Sequence, residues 1–163
     1  MEKTENKILS PDELKNKIQL WQSEGEKVVF SNGCFDILHL GHIDYLEKAR
    51  GKGDRLVIGL NTDSSVKKLK GELRPINEQT ARARVLAALA FVDGITFFED
   101  DTPLDLIKSL LPDVLVKGSD YLAENIVGAE VVVANGGSVE TIDLVDGYST
   151  TGIINKIKQE INR

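Results

Sequence analysis

Short runs of β-branched and aliphatic residues alternate with amphipathic stretches along nearly the whole chain, and this alternation constrains the fold more than any other feature. Ser10-Pro11-Asp12-Glu13 opens a helix with a capping serine, proline at the first helical position and early acids, and Leu14, Ile18 and Trp21 give it one apolar face before Gly25. Strands are predicted over 27–32, 55–60, 94–98, 113–117 and 138–142. Helices are predicted over 41–52, 63–69, 79–91, 103–111 and 125–134, with a last one from Ser149. Arg55-Leu56-Val57-Ile58-Gly59-Leu60 is almost continuously apolar, as a strand covered on both faces must be. Strand–helix–strand order implies right-handed crossovers, so the expected class is α/β: a doubly wound, mostly parallel sheet with helices on both faces. With 163 residues the chain reads as a single domain over 1–163, with 1–26 as an N-terminal helical extension.

Composition narrows the function. Lysine and arginine number 20 against 26 aspartates and glutamates, a formal net charge of −6. A chain so acidic lacks the diffuse positive field that holds a nucleic-acid backbone, although a local lysine cluster suffices for a small phosphate ligand. No apolar run approaches the ~20 residues that cross a bilayer, so no membrane is expected as a partner. Met1 to Lys7 is charged and polar, unlike a secretory signal. Cys34 is the single cysteine and has no internal disulfide partner, which fits a reducing cytoplasm.

Sheets of this class bind ligands beyond the carboxyl ends of their strands. The segments there are 32–36, 61–63, 117–121 and 146–151, all polar and three of them containing glycine. The richest is Asn32-Gly33-Cys34-Phe35-Asp36-Ile37-Leu38-His39-Leu40-Gly41-His42, which holds the only two histidines of the chain, three apart at a helix start. That spacing can aim both imidazoles at one point, Gly41 lets backbone approach a ligand, and a helix start favours anions. Three readings follow: a phosphate site, a loop histidine beside a capping one, or half of a zinc site completed by Cys34 and carboxylates.

The segment resembles the HxGH signature of the nucleotidyltransferase superfamily, and the resemblance continues in order through Asn61-Thr62-Asp63 with Lys68 and Lys70, Arg82, Lys117-Gly118-Ser119-Asp120-Tyr121 and Gly147-Tyr148-Ser149-Thr150-Thr151. Asn32 to Asp36, Leu69-Lys70-Gly71 with Arg74-Pro75, Glu99 to Pro103, Leu115 to Gly118 and Ala134 to Gly137 are most similar to the adenylyltransferase domain that makes ADP-heptose, a lipopolysaccharide core precursor, from D-glycero-β-D-manno-heptose 1-phosphate. The resemblance implies a Rossmann-like fold, a cytoplasmic homodimer, and transfer of AMP from ATP with Mg²⁺. It implies that His39, His42 and Lys68 act in catalysis. Asn32, Gly33, Cys34, Phe35, Gly41, Lys70, Arg82, Gly118, Asp120, Ser149 and Thr150 would bind nucleotide and phosphates. Asp36, Arg74, Lys117 and Tyr121 would bind the sugar phosphate, and no metal ligand is assigned. Cys34 reads as a small apolar side chain rather than a nucleophile. A fused sugar kinase, present in many members, is not expected within 163 residues. The alternative is a cytidylyltransferase for glycerol 3-phosphate or another polyol phosphate, against which Leu144 stands where those enzymes carry arginine.

Overall fold

The computed structural model describes residues 3–162; Met1, Glu2 and Arg163, which the single-domain reading includes, lie outside the described residues. Five strands, β1 (Val28–Gly33), β2 (Arg55–Asn61), β3 (Gly94–Phe98), β4 (Val114–Gly118) and β5 (Ser138–Ile142), form one sheet in the order β3-β2-β1-β4-β5. Every pairing is parallel, as the crossovers require. Among the described residues seven α-helices connect or flank the strands: α1 (Pro11–Ser23), α2 (Leu40–Arg50), α3 (Asp63–Lys70), α4 (Gln79–Ala87), α5 (Leu104–Leu110), α6 (Ala129–Ala134) and α7 (Thr150–Ile161).

The two-residue period of the strands sorts their apolar runs onto two faces. Val29, Leu56, Ile58, Val114 and Val116 pack with Leu46 and Ala49 of α2 and Ala83 and Leu86 of α4. Val28, Phe30, Val57 and Leu115 pack instead with α1, α5 and α6. The N-terminal helix, expected as an extension, is therefore part of the body: Leu14 and Ile18 are fully buried and Leu9 N–H donates to the Ile95 carbonyl at 2.9 Å. Its start has the reciprocal bonds that the sequence announces, Ser10 capping Glu13 N–H and the Glu13 carboxylate accepting from Ser10 N–H.

Two helices differ from the expectation. The alanine-rich helix ends at Ala87 instead of continuing to Phe91, because Ala88, Leu89 and Val92 close tighter bonds three residues back along the chain. The helix expected over 125–134 is divided. A 3₁₀ turn covers Ala123–Asn125, and α6 starts only after Gly128, whose φ of +88° breaks the helical path. A Cβ there would also lie 2.6 Å from Ile107 Cδ1.

The chain runs from β1 outward to β3, then returns to lay β4 on the other side of β1. The strand order thus reverses between β1 and β4, which opens a crevice at their carboxyl ends. Lys117 of β4 bridges it, donating from Nζ to the Asn32 carbonyl at 3.3 Å.

Candidate active site

A cavity of about 670 Å³ opens over that crevice. Its wall includes Asn32, Gly33, Cys34, Phe35 and Asp36 after β1, His39, Gly41 and His42 at the start of α2, and Lys70 and Arg74 beyond β2. Lys117, Gly118, Asp120 and Tyr121 after β4 complete it with Ser149 and Thr150 at the start of α7. Sixteen of the residues singled out from the sequence are therefore brought together.

The two imidazoles stack, with centroids 3.8 Å apart and planes 21° from parallel. Helical spacing is not what brings them together: His39 caps α2 with extended backbone (φ −145°), while His42 lies in the first turn. Gly41 leaves room beside the stack, since a Cβ there would sit 3.1 Å from the His39 ring and 3.2 Å from Tyr148 Cβ, close enough that one of them would have to shift. His42 also makes an edge-type contact with Phe35, ring centroids 5.3 Å apart, and the His39 and Tyr148 rings stack with centroids 6.4 Å apart. Both Nδ1 atoms are buried with no hydrogen-bond partner among the described residues, as is Asn32 Oδ1.

Burial disfavours the imidazolium at both positions. It holds His39 below the usual histidine value, and together with the neighbouring His39 ring it pushes His42 down to about 4, against an opposing contact with the Ile37 backbone. Both rings are neutral at pH 7, each with one N–H to donate. Between pH 6.5 and about 4 the unfolded chain binds more protons than the folded one, so the fold weakens as pH falls through that window. The drop in Tm from pH 7 to pH 5 should be smaller in His42→Gln than in the wild type. An equal drop would show that His42 is not held neutral.

The remaining charges surround the pair. Burial pushes the Lys117 ammonium down to about 8 despite the pull of Asp120, and the ammonium lies 5.7 Å from the Tyr121 ring centroid. Burial raises the Cys34 thiol against the nearby Lys70, Arg82 and Arg74 cations, so it stays protonated and serves as a small packing group. Ser149 caps α7, its hydroxyl accepting from Gly152 N–H at 2.9 Å, and Thr150 Oγ1 donates to the Ile37 carbonyl at 3.4 Å. The α7 start is thereby tied to the histidine segment, with helix-terminal N–H groups at the cavity wall.

Two residues singled out from the sequence lie elsewhere. Lys68 is exposed and stands outside the cavity wall, whereas Lys70, two residues on, lines it. Arg82 is wholly buried below the site. Its guanidinium donates to the carbonyls of Cys34 (2.7 Å), Asn61 (2.8 Å) and Asn77 (3.0 Å) and to Asp63 Oδ1 (2.8 Å), which uses its donors on the protein itself. Asp36 does line the cavity, yet its carboxylate is occupied by Arg74 and by backbone N–H groups. Tyr45 is a wall residue that sequence reasoning missed, and Tyr148, part of the 146–151 segment, is a wall residue to which it gave no role. The signal for Tyr45 was its place three residues after His42, one helical turn along the same face. Its hydroxyl bonds Ser31 Oγ at 2.8 Å and the Val116 carbonyl at 3.1 Å, pinning α2 to β1 and β4.

What the arrangement can do chemically is bind a chain of phosphates against donors and cations, with two imidazoles in the wall. Among the described residues no group of three or more His, Cys, Asp or Glu side chains could hold a metal ion, so the zinc reading finds no further ligands there.

Comparison with known proteins agrees. The chain is 57% identical over 154 residues to the "Bifunctional protein HldE" of Citrifermentans bemidjiense, covering 94% of this chain and 32% of that protein. It is 56% identical over 149 residues to the protein of the same name from a Marinomonas species, covering 91% and 31%. The chain spans about a third of the length of these curated relatives. Among solved structures it resembles the lipopolysaccharide core biosynthesis protein from Thermoplasma volcanium, with a TM-score of 0.59 at 28% identity over 77% of this chain and all of that one. The pantothenate synthetase of Thermus thermophilus shares the fold, with a TM-score of 0.55 at 19% identity over 84% of this chain and 60% of that one. Residues 30–156 match the cytidylyltransferase-like family, and with the crevice, the histidine pair and the α7 start all inside that span, the chain belongs to it.

Proposed function

We propose that the chain is an adenylyltransferase that moves AMP from ATP to D-glycero-β-D-manno-heptose 1-phosphate, giving ADP-heptose and pyrophosphate. The observation that carries the reading is the stacked His39–His42 pair facing one cavity with Lys70, Arg74, Lys117 and the α7 start. The 57% identity to a bifunctional HldE protein and the motifs shared with heptose adenylyltransferases support this acceptor over others.

The attacking group, an oxygen of the sugar phosphate, is ionised at neutral pH, so no general base is needed. That oxygen forms a bond to the α-phosphorus as the bond from the α-phosphorus to the bridging oxygen breaks, and pyrophosphate departs with the electron pair. The protein must align the two phosphates and stabilise charge on the five-coordinate transition state. Neutral His39 and His42 donate N–H groups to the α-phosphate oxygens, in a buried setting where such bonds count for more than in water. Lys70, the terminal nitrogens of Arg74 and the Ser149–Thr150 helix start hold the β- and γ-phosphates. Lys117 takes the acceptor phosphate, and an anion beside it would return its ammonium to full charge. Lys68 drops out of the catalytic set in favour of Lys70. Mg²⁺ arrives as part of the MgATP substrate, bound by phosphate oxygens and water. A cytoplasmic homodimer completes the reading. Ile157 and Ile161 of α7, 50% and 77% exposed, are apolar surface suited to a second copy. No described helix is long and apolar enough to cross a membrane.

The test is a panel of nucleoside triphosphates against sugar and polyol phosphates with Mg²⁺, read by pyrophosphate release. ATP with the heptose 1-phosphate should exceed every other pair by at least about 10²-fold in kcat/KM, the margin expected when buried polar groups must be matched. Preference for CTP with glycerol 3-phosphate would establish the cytidylyl alternative. Nucleotide binding without release from any acceptor would make the chain a non-catalytic binding module.

A further inference from the structure

Phe35 is one of two non-glycine residues with positive φ among those described, at +46°. A bulky side chain does not rest there unaided, so its neighbours must hold it. On the N-terminal side, the Cys34 carbonyl accepts from Arg82 Nη1 at 2.7 Å. On the C-terminal side, the Asp36 carboxylate, 1% exposed, accepts from Arg74 Nε at 2.7 Å and from the backbone N–H groups of Ile76 and Asn77 at 2.8 Å. The Asp36 carbonyl accepts from Asn77 Nδ2 at 2.8 Å. These bonds outweigh the burial that would otherwise raise the Asp36 carboxyl, which is held below its usual range.

The Phe35 ring so fixed is nearly buried and meets His42 edge-on, with planes 63° apart. The His42 ring thus contacts two rings, Phe35 in an edge-type arrangement and His39 in a stack. We propose that Asp36 is a positioning residue: by clasping the 71–78 loop it holds Phe35 in its left-handed conformation, and the Phe35 ring in turn sets the plane of the His42 imidazole. Asp36 then touches neither metal nor phosphate. The same clasp carries Arg74, so the loop that contributes a phosphate-binding guanidinium and the segment that seats the imidazole move as one unit.

The kinetic arm of the test rests on the AMP transfer proposed above; the spectroscopic arm does not. The chain has only two histidines, so their ring carbon-bound protons give few NMR signals, assigned by their loss in His42→Gln. In Asp36→Asn the His42 signals should move and kcat should fall roughly 10- to 100-fold, the scale of a slightly misplaced catalytic group. KM for the sugar phosphate and the half-saturating Mg²⁺ concentration should stay within about 3-fold, while KM for ATP rises by less than tenfold as Arg74 loses its Asp36 partner. Phe35→Leu leaves the carboxylate and its bonds untouched and should move the same signals and lower kcat. It carries the test should Asp36→Asn fail to fold. Unmoved His42 signals in the folded variants overturn the proposal. So does a tenfold or larger rise in half-saturating Mg²⁺ or in a substrate KM for Asp36→Asn with kcat intact, since that is the signature of a ligand. A wild type that releases no pyrophosphate removes the proposed reaction, and the His42 signals then decide the positioning role alone.

Discussion

His42→Ala should lower kcat by roughly 10²- to 10³-fold, the loss measured when one preorganised donor to a charge-developing oxygen is removed. The variant should remain folded, because the ring contributes a stack and an edge contact rather than a hydrogen bond on which other elements depend. KM for ATP should change little, since the N–H is needed most where charge accumulates in the transition state and least in the ground state. Steady-state pyrophosphate release, with Tm as the control for folding, measures both quantities. Turnover within a few-fold of wild type would remove the imidazole from the mechanism. A large rise in KM at constant kcat would reduce it to a ground-state binding group.

Arg82→Met is expected to have the largest effect on stability. The arginine side chain is 0% exposed and joins the ends of β1 and β2 to the 71–78 loop through three carbonyls and the Asp63 carboxylate. Methionine fills much of the volume but leaves those acceptors buried and the carboxylate without its partner, a loss of about 3–5 kcal/mol. For a domain of this size that is a fall in Tm of roughly 10 °C or more. Arg82→Lys should recover little, because a single ammonium cannot reproduce donors that point in several fixed directions. The opposite pattern, unchanged Tm with nucleotide affinity reduced tenfold, would restore Arg82 as a direct phosphate ligand.

Arg82 also shows where reading residues one at a time stops. On an alanine-rich helix an arginine reads as surface or, from the family resemblance, as a nucleotide contact, and only the fold shows that the ends of two strands converge on it. Its bond to Cys34 spans 48 positions of sequence, beyond the reach of any local pattern. Lys68 and Lys70 make the same point. Two residues apart, they lie about 200° apart around α3, so only one can face the cavity. The choice is made by the packing of Val66 and by the Asn61 Nδ2 bond to Ser65 Oγ at 2.9 Å, which fix the rotation of α3 against β2.

The order of elements, the parallel sheet and the polar segments at its carboxyl edge were legible in the chain itself. Periodicity and capping are properties of near neighbours: the strand over 94–98 and the Ser10 and Ser149 caps stand where their residues announce them. The histidine segment and the α7 start were marked in the same way, by unusual residue types at strand ends. Folding alone decided how those side chains meet. The imidazoles stack although His39 lies outside the helix, Asp36 turns its carboxylate to the 71–78 loop, and the α1 face becomes core. Each outcome depends on contacts between residues far apart in sequence, where close packing and the need to satisfy buried donors and acceptors select one orientation from several that are locally allowed.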